Sequence, residues 1–136
     1  RGEFASKMAA IANGNGNELA ERARSCLLVI DVQQYFLNKL ALDLREPLVR
    51  RIAWLMQVAR LLEIPIIATA EDVAQDGPLV PELERELPVG AKVFDKLIFG
   101  LCDQPDIRAA VDAMACGAIA LEDVLAFDRI AFRFCE

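Results

Sequence analysis

The stretch Cys26-Leu27-Leu28-Val29-Ile30-Asp31-Val32-Gln33-Gln34-Tyr35-Phe36 decides how the rest of the chain is read. Its continuous apolar run suits a strand covered on both faces of a parallel sheet. Read as a strand over 27–32, it delivers the carboxylate of Asp31 to the edge where open α/β sheets meet their ligands. A carboxyl group at such an exit loses solvation, so its pKa rises and it can hold a proton near neutrality. Two readings of Asp31 stand side by side: a site acid, or a helix cap or salt-bridged acid of the next loop.

Outward from that strand, Glu46-Pro47 starts a helix, since proline is tolerated in a first turn and an acid there complements the helix dipole. Leu48, Ile52, Leu55, Met56, Ala59 and Leu62 then recur at steps of three and four, the pattern of an amphipathic helix over 48–63 laid on a sheet. Pro65-Ile66-Ile67-Ala68-Thr69-Ala70 is the second strand, which completes a βαβ unit. Residues 71–80, with Gly77-Pro78, read as a polar loop, and 80–87 as a short helix with proline near its first turn. Lys92-Val93-Phe94-Asp95-Lys96 is a short third strand. Pro105 opens a helix to about residue 115 with Asp103 as its cap. Beyond it, 117–121 reads as a strand and 124–134 as a helix carrying Leu125, Ile130, Ala131 and Phe134. The fold class predicted is α/β, a three-layer sandwich around a parallel sheet of Rossmann-like type.

Lys96 is the second candidate. A lysine beside an acid in a closed pocket keeps its charge, orients the acid and lowers the pKa of a neighbouring thiol. By residue type alone it would be a solvated surface lysine. The flanking Phe94, Leu97, Ile98 and Phe99 argue instead for a buried stem.

Composition narrows the function. At 136 residues, 55% apolar and 26% charged, the chain is expected to be one globular domain over 25–136. It is preceded by a loose arm over 8–24 and by a vector-derived scar over 1–7. A net charge of −6 disfavours a nucleic-acid partner. No apolar run approaches the ~20 residues of a membrane span and no signal peptide is read, so no membrane partner is expected. Cys26, Cys102, Cys116 and Cys135 show no CxxC spacing, which fits reduced thiols and a cytoplasmic location. Each reads most simply as a small buried hydrophobe, Cys26 above all. The chain has no histidine, which removes triads built on imidazole and histidine-ligated metals. Glu71 and Asp72 read as loop acids in water. No cofactor is expected.

Four segments in order, 27–36, 59–69 (Ala59 to Thr69), 77–83 (Gly77 to Leu83) and 94–96, resemble the isochorismatase-like cysteine hydrolases, over about residues 25–112. The resemblance implies an oligomeric α/β protein that hydrolyses a small amide, imide or vinyl ether at an Asp, Lys and Cys site. Asp31 matches the family acid and Lys96 the family lysine. In the implied mechanism the acid takes the thiol proton, the lysine steadies the thiolate and the cysteine attacks a carbonyl. A small-molecule substrate and a homo-oligomer are the implied partners.

The family's nucleophile turn, a Gly-x-x-Thr-x-x-Cys-Val type segment at a helix start, has no counterpart after residue 112. Residues 116–125 align with it only if Leu125 takes the cysteine's place. Alternatively, 116–134 resembles the last strand and helix with the intervening segment missing and the fold incomplete at its C-terminal end. No cysteine is therefore assigned as nucleophile. A catalytically silent relative serving as an oligomerising or interaction module is the alternative. A phosphoacceptor receiver domain also pairs a strand-end acid with a lysine, but Gln33-Gln34 stands where it needs a further acid.

Overall fold

A computed structural model describes Arg22 and residues 25–114, 117–121 and 131–133, with Cys102 and the last two stretches taken as backbone alone. The elements in chain order are β1 (Ser25–Ile30), α1 (Gln34–Leu37), α2 (Leu42–Leu61), β2 (Ile66–Glu71), α3 (Val73–Asp76), α4 (Pro81–Glu84), β3 (Val93–Lys96), a 3-10 turn (Leu101–Asp103), α5 (Pro105–Ala113), β4 (Gly117–Leu121) and β5 (Ala131–Arg133). The sheet order is β3-β2-β1-β4-β5. The first four strands in that order run parallel, and β5 pairs with β4 antiparallel.

Alternation along the strands divides the core into two layers. Leu27 and Val29 of β1, with Ile66 and Ala68 of β2, face Ile52, Met56 and Ala59 of α2. Cys26 and Leu28, with Ile67, face Ile107 and Val111 of α5. Side chains of period two on each strand thus supply both layers, which is why the strands read as unbroken apolar runs. The three-layer α/β sandwich expected from the sequence is the fold observed.

Several boundaries differ from the sequence expectation. β1 ends at Ile30, because Asp31 turns into the left-handed region at φ 54° and the pairing stops there. α2 begins at Leu42 and takes Pro47 inside it. The missing N–H of Pro47 costs only the one bond that the Asp43 carbonyl would accept, and the apolar stripe of the helix carries it through. Asp103 caps nothing: Gln104 stands at the N-cap of α5 and makes no capping bond there. The expected strand over 117–121 is present as β4. The expected helix over 124–134 is not supported, since Ala131–Arg133 is β5; the spacing of Ile130, Ala131 and Phe134 suits either period, and pairing with β4 decided it. Residues 122–130 and 134 lie outside the described residues, as do the scar over 1–7 and, Arg22 apart, the arm over 8–24.

Candidate active site

The two predicted residues meet. Lys96 Nζ lies 2.9 Å from Asp31 Oδ2. Asp31 is 1% exposed and Lys96 3%, so this is a buried ion pair rather than a surface contact. Parallel pairing explains the meeting. β1, β2 and β3 are adjacent, and all three end at one edge, so residues about forty and twenty-five positions apart arrive together. Thr69, the β2 partner of Ile30, donates from Oγ1 to Asp31 Oδ1 at 2.8 Å. Both carboxylate oxygens therefore have a donor, which a buried anion needs.

Asp31 itself is left-handed, a conformation that Asp tolerates better than bulky residues at a cost of roughly 1–2 kcal/mol. Its backbone N–H still bonds the Thr69 carbonyl at 3.0 Å, while its side chain swings toward β2 and β3.

A third charged group completes the cluster. Glu71, expected to be a loop acid in water, is the last residue of β2 and the register partner of Lys96. Partners in register on neighbouring strands point to the same face. The Glu71 carboxylate accordingly stands 3.4 Å from Lys96 Nζ, with its side chain about one-third exposed. Asp72 behaves nearer to expectation: it caps α3 by accepting from Gln75 N–H at 3.2 Å.

Two buried glutamines that sequence reasoning did not single out hold these charges in place. Gln33, fully buried, accepts from Glu71 N–H at 2.7 Å and donates to the Glu71 carbonyl at 2.8 Å and the Gly77 carbonyl at 2.6 Å. Gly77 can present that carbonyl because it sits at φ 83°. Gln104 does for β3 what Gln33 does for β2. It donates to the Asp95 carbonyl at 2.8 Å and accepts from Leu97 N–H at 2.8 Å, bracketing Lys96 on both sides. Each amide satisfies backbone groups where sheet pairing has run out, and so fixes the strand ends that carry Glu71 and Lys96. The signal for both was a glutamine, with one donor and one acceptor face, placed right after an apolar run or before a helix proline.

Burial pushes the Asp31 carboxyl above its ordinary range, against the hydrogen bonds from Lys96 and Thr69, and the negative charge of Glu71 adds to the upward push. Burial also works against the Lys96 ammonium, but its bond to Asp31 and the charges of Asp31 and Glu71 outweigh that, and its pKa is raised. The lysine is therefore charged at neutral pH, beside an acid that takes up a proton more readily than a surface aspartate does.

Of the cysteines, Cys26 is buried in the α5 layer at the far end of β1, about 17 Å along the strand from Asp31 at ~3.3 Å per residue. Cys102 belongs to the 3-10 turn that follows Lys96. Cys116 and Cys135 lie outside the described residues. Among the described residues no three His, Cys, Asp or Glu side chains gather closely enough to hold a metal ion, and none of the helices is long and apolar enough to cross a membrane.

The parallel strands β1 to β4 with helices on both faces match the isochorismatase-like α/β fold. YcaC from Pseudomonas aeruginosa, solved with hexane-2,5-diol and covalent acrylamide, superposes with a TM-score of 0.65 at 23% identity, over 79% of this chain and 55% of that one. The YcaC gene product of Escherichia coli, described as an octameric hydrolase of unknown specificity, gives 0.66 at 22% identity with the same coverage. MAR1 ribonuclease from Caenorhabditis elegans gives 0.60 at 25% identity over 74% of this chain and 51% of that one. The chain thus spans about half the length of these proteins. No family model and no curated protein matches it.

Proposed function

We propose that this chain is a hydrolase of the isochorismatase-like kind, acting on a small amide, imide or other carbonyl or vinyl-ether substrate, with Asp31 as proton acceptor and Lys96 as the cation that steadies a thiolate. The observation that carries the proposal is the buried 2.9 Å contact between Lys96 Nζ and Asp31 Oδ2 at the ligand edge of the sheet. A fully buried ion pair is weak evidence for stability, because desolvation offsets most of its attraction. Placed where ligands bind, with the acid's pKa raised, it suits proton transfer.

A homo-oligomer is part of the same reading. Leu97 and Phe99, 70% and 87% exposed after the lysine strand, are the apolar side chains such an assembly would cover; the octamer described for the E. coli neighbour is the precedent. Cleavage of RNA, the activity in the name of the C. elegans neighbour, is left out: a net charge of −6 and two carboxylates around one lysine repel a phosphodiester chain.

One observation favours the silent relative. β4 pairs beside β1, with Leu121 opposite Val29, so the chain leaves β4 toward the edge that holds Asp31. The residues that follow in sequence, 122–130, contain no cysteine.

A panel of small amides and imides, acrylamide among them, separates the two readings. A hydrolase forms a carboxylate from at least one of them, freeing ammonia or an amine from an amide and an amide from an imide, and Asp31→Asn abolishes that turnover while the circular dichroism spectrum is kept. No turnover across the panel, with no acrylamide adduct by intact mass, leaves the silent oligomerising module.

A further inference from the structure

We propose that Glu71 is a third member of the site, a counter-carboxylate that holds the Lys96 ammonium while Asp31 takes up a proton. The inference rests on the reading of Asp31 as the proton acceptor. Its ground is the geometry around one nitrogen. Lys96 Nζ lies between Asp31 Oδ2 at 2.9 Å and Glu71 Oε2 at 3.4 Å, with the Phe99 ring centroid at 5.9 Å. Lys96 and Glu71 both act by their charge on Asp31, and Asp31 and Glu71 on Lys96.

A lone pair of Asp31 and Lys96 would oppose its own chemistry. Protonating the acid would take away the anion in direct contact with the buried ammonium and leave it only the new thiolate, a change that low dielectric makes costly. A second carboxylate removes that obstacle. When a thiol gives its proton to an Asp31 oxygen, the S–H bond breaks, the O–H bond forms and the electron pair stays on sulfur. Before the step the negative charges are on Asp31 and Glu71. After it they are on sulfur and Glu71, with Lys96 positive throughout and the sum unchanged at −1. Glu71 thus makes Asp31 easier to protonate by its charge, and leaves the lysine paired once that has happened.

The placement of Glu71 is specific. It is the register partner of Lys96, and Gln33 clamps both its N–H and its carbonyl, so the backbone that carries the carboxylate is held at the edge. Its side chain is about one-third exposed, where Asp31 is buried. Glu71 touches neither the thiol nor the substrate in this scheme; it is a positioning residue that acts through Lys96.

The test needs neither substrate nor an assigned nucleophile. Aspartate labelled with ¹³C at the carboxyl carbon gives a titration curve for Asp31, assigned by the signal lost in Asp31→Asn. In Glu71→Gln the Asp31 midpoint is expected to fall by about 0.5 to 1 pH unit, the size of a screened charge bridged to it by one ammonium. Glu71→Asp, which keeps the charge but draws it back by one methylene, should give a smaller fall. A purely structural role for Glu71 would change thermal stability and leave the midpoint alone. An Asp31 midpoint that stays put or rises in both folded variants overturns the proposal, whatever the amide panel shows. A fall in the midpoint without turnover upholds the role of Glu71 and removes the hydrolase reading instead.

Discussion

The two ends of β1 bury opposite chemistry on one strand. At its start Cys26 is fully buried and packs with Leu28, Ile67, Ile107 and Val111. Just past its end Asp31 is as deeply buried, yet is surrounded by a lysine, a threonine hydroxyl and a second carboxylate. Burial is equal at the two ends; what differs is what the neighbouring strands deliver. At the start β2 and α5 supply methyl groups. At the exit β2 and β3 supply charge and hydrogen bonds, and two glutamines fix the strand ends that carry them. Buried charge met by groups from two strands is the feature on which the proposed chemistry rests, whereas the thiol at the other end lies within the apolar layer.

The largest effect expected from breaking this contrast is at the polar end. Lys96→Met leaves Asp31 buried without its cation and should lower unfolding stability in urea by about 3 to 5 kcal/mol. Adding Asp31→Asn to it should restore part of that loss, because the uncompensated charge goes too. At the apolar end, Ile107→Ala should cost about 2 to 5 kcal/mol through lost burial and the cavity left behind, and leave the Asp31 titration where it was. Gln33→Ala orphans the Glu71 N–H and two carbonyls; a loss of about 1 to 3 kcal/mol in the same assay is expected. The smallest effect sharpens the comparison from outside: Arg108→Ala removes an exposed pair with Asp112 and should change stability by less than about 0.5 kcal/mol.

The pH dependence of stability carries the same sign for the two partners, in two separate windows. Asp31 has a raised pKa in the folded state, so between the unfolded and folded values the native protein binds more protons, and its contribution to stability falls as pH rises through that window. Lys96 is also raised, so its contribution is fully present below the unfolded value and is lost as pH climbs through the folded one, in the alkaline range. Urea midpoints measured against pH should show both slopes, and Asp31→Asn should flatten the acid-side one.

Much of this was legible in the residues. Asp31 stood out because an acid that closes an apolar run is unusual, and Lys96 because aromatic and aliphatic neighbours bury its stem. The unbroken apolar run of a strand covered on both faces was visible as well. Glu71 escaped for want of one residue: with β2 ending at Ala70 it is a solvated loop acid, and with β2 ending at Glu71 it faces Lys96. Strand ends are fixed by pairing partners, and register cannot be read from one strand. Gln33 and Gln104 escaped for the same reason, since the backbone groups they satisfy belong to other segments. The helix expected over 124–134 failed at Ala131–Arg133, where apolar spacing fits two periods and a neighbouring strand chooses between them.

The most direct test of the central claim, that the Asp31 and Lys96 pair serves to activate a thiol, is alkylation by iodoacetamide at mildly acidic pH with peptide mapping of all four cysteines. One cysteine is expected to react far faster than the rest, and to lose that advantage in Asp31→Asn. Uniformly slow labelling of Cys26, Cys102, Cys116 and Cys135, unchanged by the substitution, would contradict it.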